Sequence, residues 1–297
     1  MNVHYTACPV CSSESILPLF KVKDYTASKQ EFDIWQCAEC TLRFTQDVPD
    51  ESSIGPFYKA EDYISHTNTD KGFINQLYKK VRKVTLSQKA NLVQKFTGRE
   101  QGRLLDTGCG TGAFLHTMRE RGWEVSGIEP DETARNLAKK LYGIEPLEAQ
   151  QLYELPTGSL NAITMWHVLE HVHSLHEYVE QLKNLLAPGA KLFIAVPNYN
   201  SLDADIYRLH WAAYDVPRHL YHFTPMAMKK LMALHGLKVI AKKSMWFDAF
   251  YIAMLSSKYK SGSTNWISSA INGLRSNIKA SINTDRCSSL IYIIEKA

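Results

Sequence analysis

The sequence contains no uninterrupted apolar run near the roughly 18 residues that a membrane-spanning helix requires. The closest stretch, Met245 to Leu255, carries Asp248 inside it, so a span is excluded. The opening residues, MNVHYTACPV, hold neither a charged leader region nor an apolar one, which predicts a cytoplasmic rather than a secreted protein. Internal repeats and low-complexity tracts are absent. Charge of one sign is scarce in the sum: 34 basic against 30 acidic residues leave a formal +4, too little to imply a polyanionic partner. What remains is an ordinary globular composition, 45% hydrophobic and 11% aromatic over 297 residues, long enough for a sizeable core and about two domains.

The distribution of charge is less even than its sum. Between Lys71 and Arg103, nine basic residues stand against the single acid Glu100. Such a run is either a phosphate- or nucleic-acid-attracting patch or a solvated helix face. Cysteine is concentrated too: Cys8 and Cys11 form one C-x-x-C pair, Cys37 and Cys40 another. A two-residue gap lets both thiolates of a tight knuckle converge on one ion, and two knuckles supply tetrahedral zinc. Four sulfur ligands leave no open coordination position, so the expected Zn2+ is structural. Cys109 and Cys287 are isolated and expected to pack.

Residues 1–48 read as a zinc ribbon, with strands around the knuckles from the alternation of Phe32, Ile34 and of Leu42, Phe44. A unit this small needs its metal to fold. Residues 49–100 read as a connector, with Tyr58, Tyr63 and His66 as packing residues, followed by a basic helix over Phe73–Phe96. Residues 101–297 alternate strand and helix patterns, including a strand at 143–149, a polar helical insertion about 256–286 and a last strand at 289–296. That order predicts an α/β fold, a doubly wound and mostly parallel sheet flanked by helices.

The most informative string is Leu104-Leu105-Asp106-Thr107-Gly108-Cys109-Gly110-Thr111-Gly112. An apolar strand enters a loop with glycine at every second position, where bare backbone at a helix N-terminus can lie against a ligand. Glu129 closes the next strand, where a carboxylate takes ribose hydroxyls. A dinucleotide loop spells G-x-G-x-x-G and avoids acid beside the pyrophosphate; here the spacing is G-x-G-x-G, and Asp106 favours a cationic ligand. With Ile128-Glu129-Pro130, the string HVLEHV from His167 and LAPGAKLFIAVPN from Leu186, the chain from Arg103 to Val196 resembles class I S-adenosylmethionine-dependent methyltransferases. The resemblance implies a Rossmann-like methyltransferase sheet with an antiparallel last strand. It implies S-adenosyl-L-methionine as cofactor, held by Asp106, Gly108, Cys109, Gly110, Gly112, Glu129 and Pro130, with Trp166 and His167 at the end of the fourth strand.

Seven histidines fall between His167 and His222. His167, Glu170 and His171 follow the fourth strand, and residues just beyond a parallel strand face the ligand crevice. His219 and His222 follow the fifth strand after an aromatic insertion, Tyr199, Tyr207, Trp211 and Tyr214, expected to enclose substrate. A hydroxyl acceptor must lose a proton, and imidazole titrates in the right range. His219 or His222 is the expected base, oriented by His171 or Glu170. The run H-x-x-E-H is also similar to the E-x-x-E-H arrangement of metal-dependent members, which keeps open a second, catalytic ion at His167, Glu170 and His171. The sequence thus predicts a methyltransferase acting on a small-molecule or conjugated-metabolite hydroxyl. RNA methylation through the ribbon and basic helix, and C-methylation of a sugar nucleotide, are its alternatives.

Overall fold

The computed structural model describes residues 2–58 and 73–297, so Tyr63 and His66 lie outside the described residues. At the N-terminus come β1 (Asn2–Val3), β2 (Ile16–Lys23), β3 (Glu31–Cys37), β4 (Arg43–Thr45) and β5 (Val48–Pro49). The knuckle turns fall after β1 and at the end of β3. The basic helix α1 (Phe73–Thr97) leads into β6 (Arg103–Thr107), α2 (Ala113–Arg119), β7 (Glu124–Ile128), α3 (Glu132–Tyr142), β8 (Leu160–Trp166), α4 (Leu175–Leu185) and β9 (Leu186–Pro197). Then follow α5 (Leu202–Tyr207), β10 (Tyr221–His222), α6 (Pro225–Leu234), β11 (Leu237–Ser244), α7 (Asp248–Ser261), α8 (Trp266–Ile282) and β12 (Ser289–Lys296).

The local chemistry explains the helix bounds. Asp131 opens α3 by accepting the Ala134 N–H, and Gly143 ends it at φ 61°, a left-handed cap that glycine adopts without strain. Thr224 caps α6, with Pro225 next, where its missing N–H is no loss.

The six-stranded sheet has the order β11-β12-β9-β8-β6-β7. Neighbours from β9 to β7 run parallel, and β12 is antiparallel to both β9 and β11. β6, β8 and β9 are buried over most of their length, as strands covered on both faces must be.

Two readings of the sequence need correction. The strand at 143–149 shrinks to one parallel bridge between Ile128 and Leu147. Pro146 has no N–H to give a ladder, and Glu148 immediately caps a short 3-10 turn over Ala149–Glu154. The helical insertion begins at Asp248, ahead of 256, and is not polar throughout: α8 carries an apolar stripe on its outer face.

The ribbon sheet is completed from outside the ribbon. Its strand order is β10-β4-β3-β2, with Tyr221 and His222 paired to Phe44 and Arg43. Leu42 and Phe44 share one apolar cluster with Leu220 and Phe223. The aromatic insertion lies in this seam: Tyr207, Trp211 and Tyr214 pack with Val22 and Ile34, and Trp211 donates its indole N–H to Asp203 at 2.7 Å. These three rings are buried in the seam between the ribbon and the α/β domain.

Candidate functional site

The loop after β6 has the conformation its glycines anticipate. Gly108 and Gly110 sit at φ 66° and 54°. A Cβ on Gly108 would stand 2.4 Å from Val168 Cγ2, whereas one on Gly110 would meet nothing within 4 Å. The first glycine thus admits the turn after β8, and the second leaves backbone facing open space. Gly112 caps α2 in the left-handed region, and Cys109 is buried, its sulfur pressed on Gly127. Glu129 fastens the loop: its Oε2 accepts the Gly110 N–H at 2.7 Å and its Oε1 the Asp131 N–H at 3.0 Å. Burial raises the Glu129 carboxyl, and those two amides work against the rise. Pro130, next to it, is exposed.

Asp106 is buried and accepts the Thr164 hydroxyl at 2.6 Å. Burial pushes its carboxyl up to about 7, opposed by that hydroxyl and by the Lys89 ammonium. Lys89 was hidden in the basic run. It hangs from α1 into the cleft with its Nζ 4.3 Å from the Trp166 ring centroid; burial depresses it while Asp248 and Asp106 hold it up. Its phase was legible, since it lies three residues after Leu86 and four before Val93, both on the packed face.

The histidines separate into three environments. His167 stands at φ 60°, a left-handed conformation that is strained for a non-glycine residue. Its Nε2 lies 2.8 Å from Asp248 and its Nδ1 3.4 Å from Glu170. Burial alone would depress this imidazole, but the two carboxylates, Asp248 foremost, hold it at about 10. It is an imidazolium bridging two acids. His167→Gln removes the charge shared by two acids at a half-buried site and is expected to cost about 2 kcal/mol in stability, the scale of a lost hydrogen bond to a charged group. Urea denaturation at pH 7 measures it. The raised value means this stabilisation is complete below 6.5 and is lost as pH rises through about 10.

Glu170, His171 and His219 form the second environment, their ligand atoms all within 4.8 Å of one another. His219 Nδ1–H donates to the Ala213 carbonyl at 2.9 Å, and His171 Nδ1–H to the Arg218 carbonyl at 3.0 Å, with the Tyr58 hydroxyl at the same distance. Both rings therefore turn an Nε2 lone pair inward. Burial, with His219 second, pushes His171 down to about 4. Burial opposes the Glu170 charge, but the surrounding histidines, His167 first, hold its carboxyl below the ordinary range. Glu170 is fully buried, and the His167 ring at 3.4 Å is its nearest charged partner. The loop carrying His219 is pinned by Arg218, which grips Asp215 at 2.6 and 3.0 Å and reaches Asp24 and the Phe57 carbonyl.

His222 stands apart. It lies in β10 against the ribbon, donating from Nε2 to Thr45 Oγ1 at 3.2 Å, and burial drives its pKa well below 6.5. His173 and His176 donate to the Pro49 and Pro9 carbonyls, latching the ribbon to the α/β domain.

The four knuckle cysteines gather as their spacing implied. Cys8 and Cys40 sulfurs are 3.5 Å apart, Cys11 and Cys37 sulfurs 3.6 Å, and all four lie within 4.8 Å. Zn–S bonds of about 2.3 Å in a tetrahedron require sulfurs about 3.8 Å apart. The donor set fits that ion.

A methyltransferase-domain family model matches residues 79–242, more than half the chain. The ubiquinone biosynthesis O-methyltransferase of Idiomarina loihiensis is 25% identical over 170 residues, covering 52% of this chain and 70% of that one. The protein of the same name from Bordetella avium is 32% identical over 117 residues, 36% of this chain and 48% of its own. Several of these relatives are thus matched over only about half their length. Among solved structures, an S-adenosylmethionine-dependent methyltransferase from Archaeoglobus fulgidus superposes with a TM-score of 0.51 at 21% identity, covering 76% of this chain and all of that one. A putative sarcosine dimethylglycine methyltransferase from Galdieria sulphuraria gives 0.51 at 13%, covering 77% and 89%. With the match running through the glycine loop, Glu129 and the histidine cluster, the chain belongs to the methyltransferase domain family, and it shares the fold of solved S-adenosylmethionine-dependent methyltransferases.

Proposed function

We propose that this protein methylates a hydroxyl of a small or conjugated metabolite, with Asp106, Gly108, Gly110 and Glu129 holding S-adenosylmethionine and His219 acting as base. The observation that carries the reading is the convergence of Glu170, His171 and His219 just beyond β8, the strand beside the glycine loop. Bound in the loop, the cofactor supplies an electrophilic methyl group. The chain's own work is to align the acceptor and remove its proton. His219 suits that task because its Nδ1–H is tied to a carbonyl, which fixes the tautomer and leaves Nε2 to accept. Glu170, 4.0 Å from that Nε2, stabilises the imidazolium formed. His222 takes no part in this reading, and neither does His167, already charged.

The names of the relatives favour oxygen and a small acceptor over RNA or a sugar nucleotide. No helix among the described residues is long and apolar enough to cross a membrane, and a cytoplasmic location belongs to the same proposal. We read Cys8, Cys11, Cys37 and Cys40 as a structural zinc site and keep the boundaries 1–48, 49–100 and 101–297 as sequence units, although β10 joins the first to the third.

Incubation of purified protein with methyl-labelled cofactor and fractionated cell extract, followed by mass identification of the labelled product, tests the activity. His219→Ala is expected to lower kcat on that product by about 10²–10³ while S-adenosylhomocysteine binds as before by calorimetry. Unchanged kcat removes His219 as base.

One observation favours a second reading of the same cluster. Two imidazoles and a buried carboxylate whose ligand atoms lie within 4.8 Å of one another make a two-histidine, one-carboxylate donor set, suited to zinc or iron rather than magnesium. His219 thereby replaces His167, which the sequence had placed in this set. There the ion would polarise the acceptor hydroxyl. Metal analysis separates the readings: one equivalent of metal per chain supports the base, and a second, lost in Glu170→Gln, supports the ion.

A further inference from the structure

Helix α8 packs the wrong way round for a surface helix. Its buried face is Ser269, Gly273, Ser276 and Ala280; Ser276 donates to Asp203 at 2.8 Å, and a Cβ on Gly273 would stand 2.6 Å from Phe250 Cδ1. Close approach through small residues docks it on α7. Its opposite face is a stripe of Ile267, Ile271, Leu274, Ile278 and Ile282, each between 53% and 79% exposed. These positions recur every three or four residues, the period of one helical face. An apolar stripe of this length, held outward by deliberate small-residue packing, marks a contact surface.

Charge identifies what it contacts. From 245 to 283 the only acid is Asp248, and it is engaged by His167 in the cleft. Lys258, Lys260, Arg275 and Lys279 are all exposed. Arg275 and Lys279 sit on the edge of the stripe by helical phase, Arg275 one position after Leu274 and Lys279 one after Ile278. A two-fold pairing of the stripe with a second copy would bring like charges together with no acids between them.

We infer that α8 rests on an anionic lipid surface, its axis in the plane of the interface, the isoleucine stripe in the headgroup–acyl boundary and Arg275 and Lys279 at lipid phosphates. This is the arrangement of a monotopic amphipathic helix, and it needs no membrane span. The inference is independent of the acceptor's identity and of the base.

The full chain is centrifuged with vesicles of phosphatidylcholine alone and of phosphatidylcholine with phosphatidylglycerol. Cosedimentation is expected with the anionic vesicles and should weaken as salt rises. Arg275→Gln/Lys279→Gln is expected to weaken partition by about fivefold per cation removed, and Ile271→Ser/Ile278→Ser by at least about tenfold. Both pairs should retain S-adenosylhomocysteine binding and the native circular dichroism, because neither touches the cleft. Failure of the wild type to sediment with anionic vesicles overturns the proposal, as does equal sedimentation of both double variants. A wild-type dimer in sedimentation velocity that Ile271→Ser/Ile278→Ser dissolves, without vesicle binding, assigns the face to self-association instead.

Discussion

Stripping zinc from Cys8, Cys11, Cys37 and Cys40 is expected to unfold the N-terminal sheet, with a loss on the order of 10 kcal/mol of folding free energy. The four sulfurs lie within 4.8 Å of one another, and an ion tying both knuckles would fix the turns between which β2 and β3 pair. The damage should spread beyond the ribbon. β4 pairs with β10, Thr45 donates to the His219 carbonyl at 2.7 Å, and Asp24 holds the buried Arg218. All three contacts reach the loop that carries His219, so chelation should abolish turnover even though cofactor binding, which our proposal assigns to the β6 loop and Glu129, persists. Native mass spectrometry should find zinc bound, and a chelator or Cys37→Ser should lower the melting temperature sharply, whereas Cys287→Ser should leave the zinc content unchanged. A metal-free native mass with an unaltered melting curve would end the zinc reading.

That coupling was not legible in the sequence, and the reason is physical. Spacing reports what lies near in the chain: each knuckle and the glycine loop depend on contacts within a few residues. The partners that define the histidine cluster are remote. Glu170 and His171 meet His219 across a long insertion, and nothing local marks His219 rather than His222. Spacing also misled at His167. An H-x-x-E-H run puts all three side chains on one face of a helix, but Leu169–His171 is a single 3-10 turn. His167 precedes it at φ 60°, and its ring lies between Glu170 and Asp248, outside the group that Glu170 forms with His171 and His219. The third strand failed for a simpler reason, since Pro146 interrupts the ladder. The outward stripe of α8 was present in the sequence as a helical period, yet amphipathicity alone does not say which face is buried. Only the small residues opposite the stripe carried that information.

Asp106→Asn should remove both the strength and the pH dependence of cofactor binding. Burial lifts the Asp106 carboxyl from 3.8 to about 7, so the folded apoprotein prefers it neutral. The stability this supplies is complete below 3.8 and is lost as pH rises through about 7. A ligand bearing an ammonium and a sulfonium reverses the preference, because it gains only from the ionised form. Affinity for S-adenosylmethionine is therefore expected to fall by up to about tenfold per pH unit below neutrality and to level off above it. Lys89 tempers the effect: its ammonium already offsets part of the Asp106 charge, and the incoming cations must share that carboxylate with it. Asparagine keeps the shape and an oxygen for the Thr164 hydroxyl but carries no charge. Its affinity at pH 8 should be about a hundredfold lower, the scale of a lost charge-assisted contact. The apo variant should melt no lower than wild type at pH 8, since a desolvated carboxylate has been removed. Calorimetric titration from pH 5.5 to 8.5 reads both quantities. A wild-type affinity that stays flat across that range, or an asparagine variant that binds as tightly as wild type, would show that the buried carboxylate does not meet the cofactor's charge. The discrimination between a sulfonium nucleoside and a pyrophosphate would then have to come from another part of the loop.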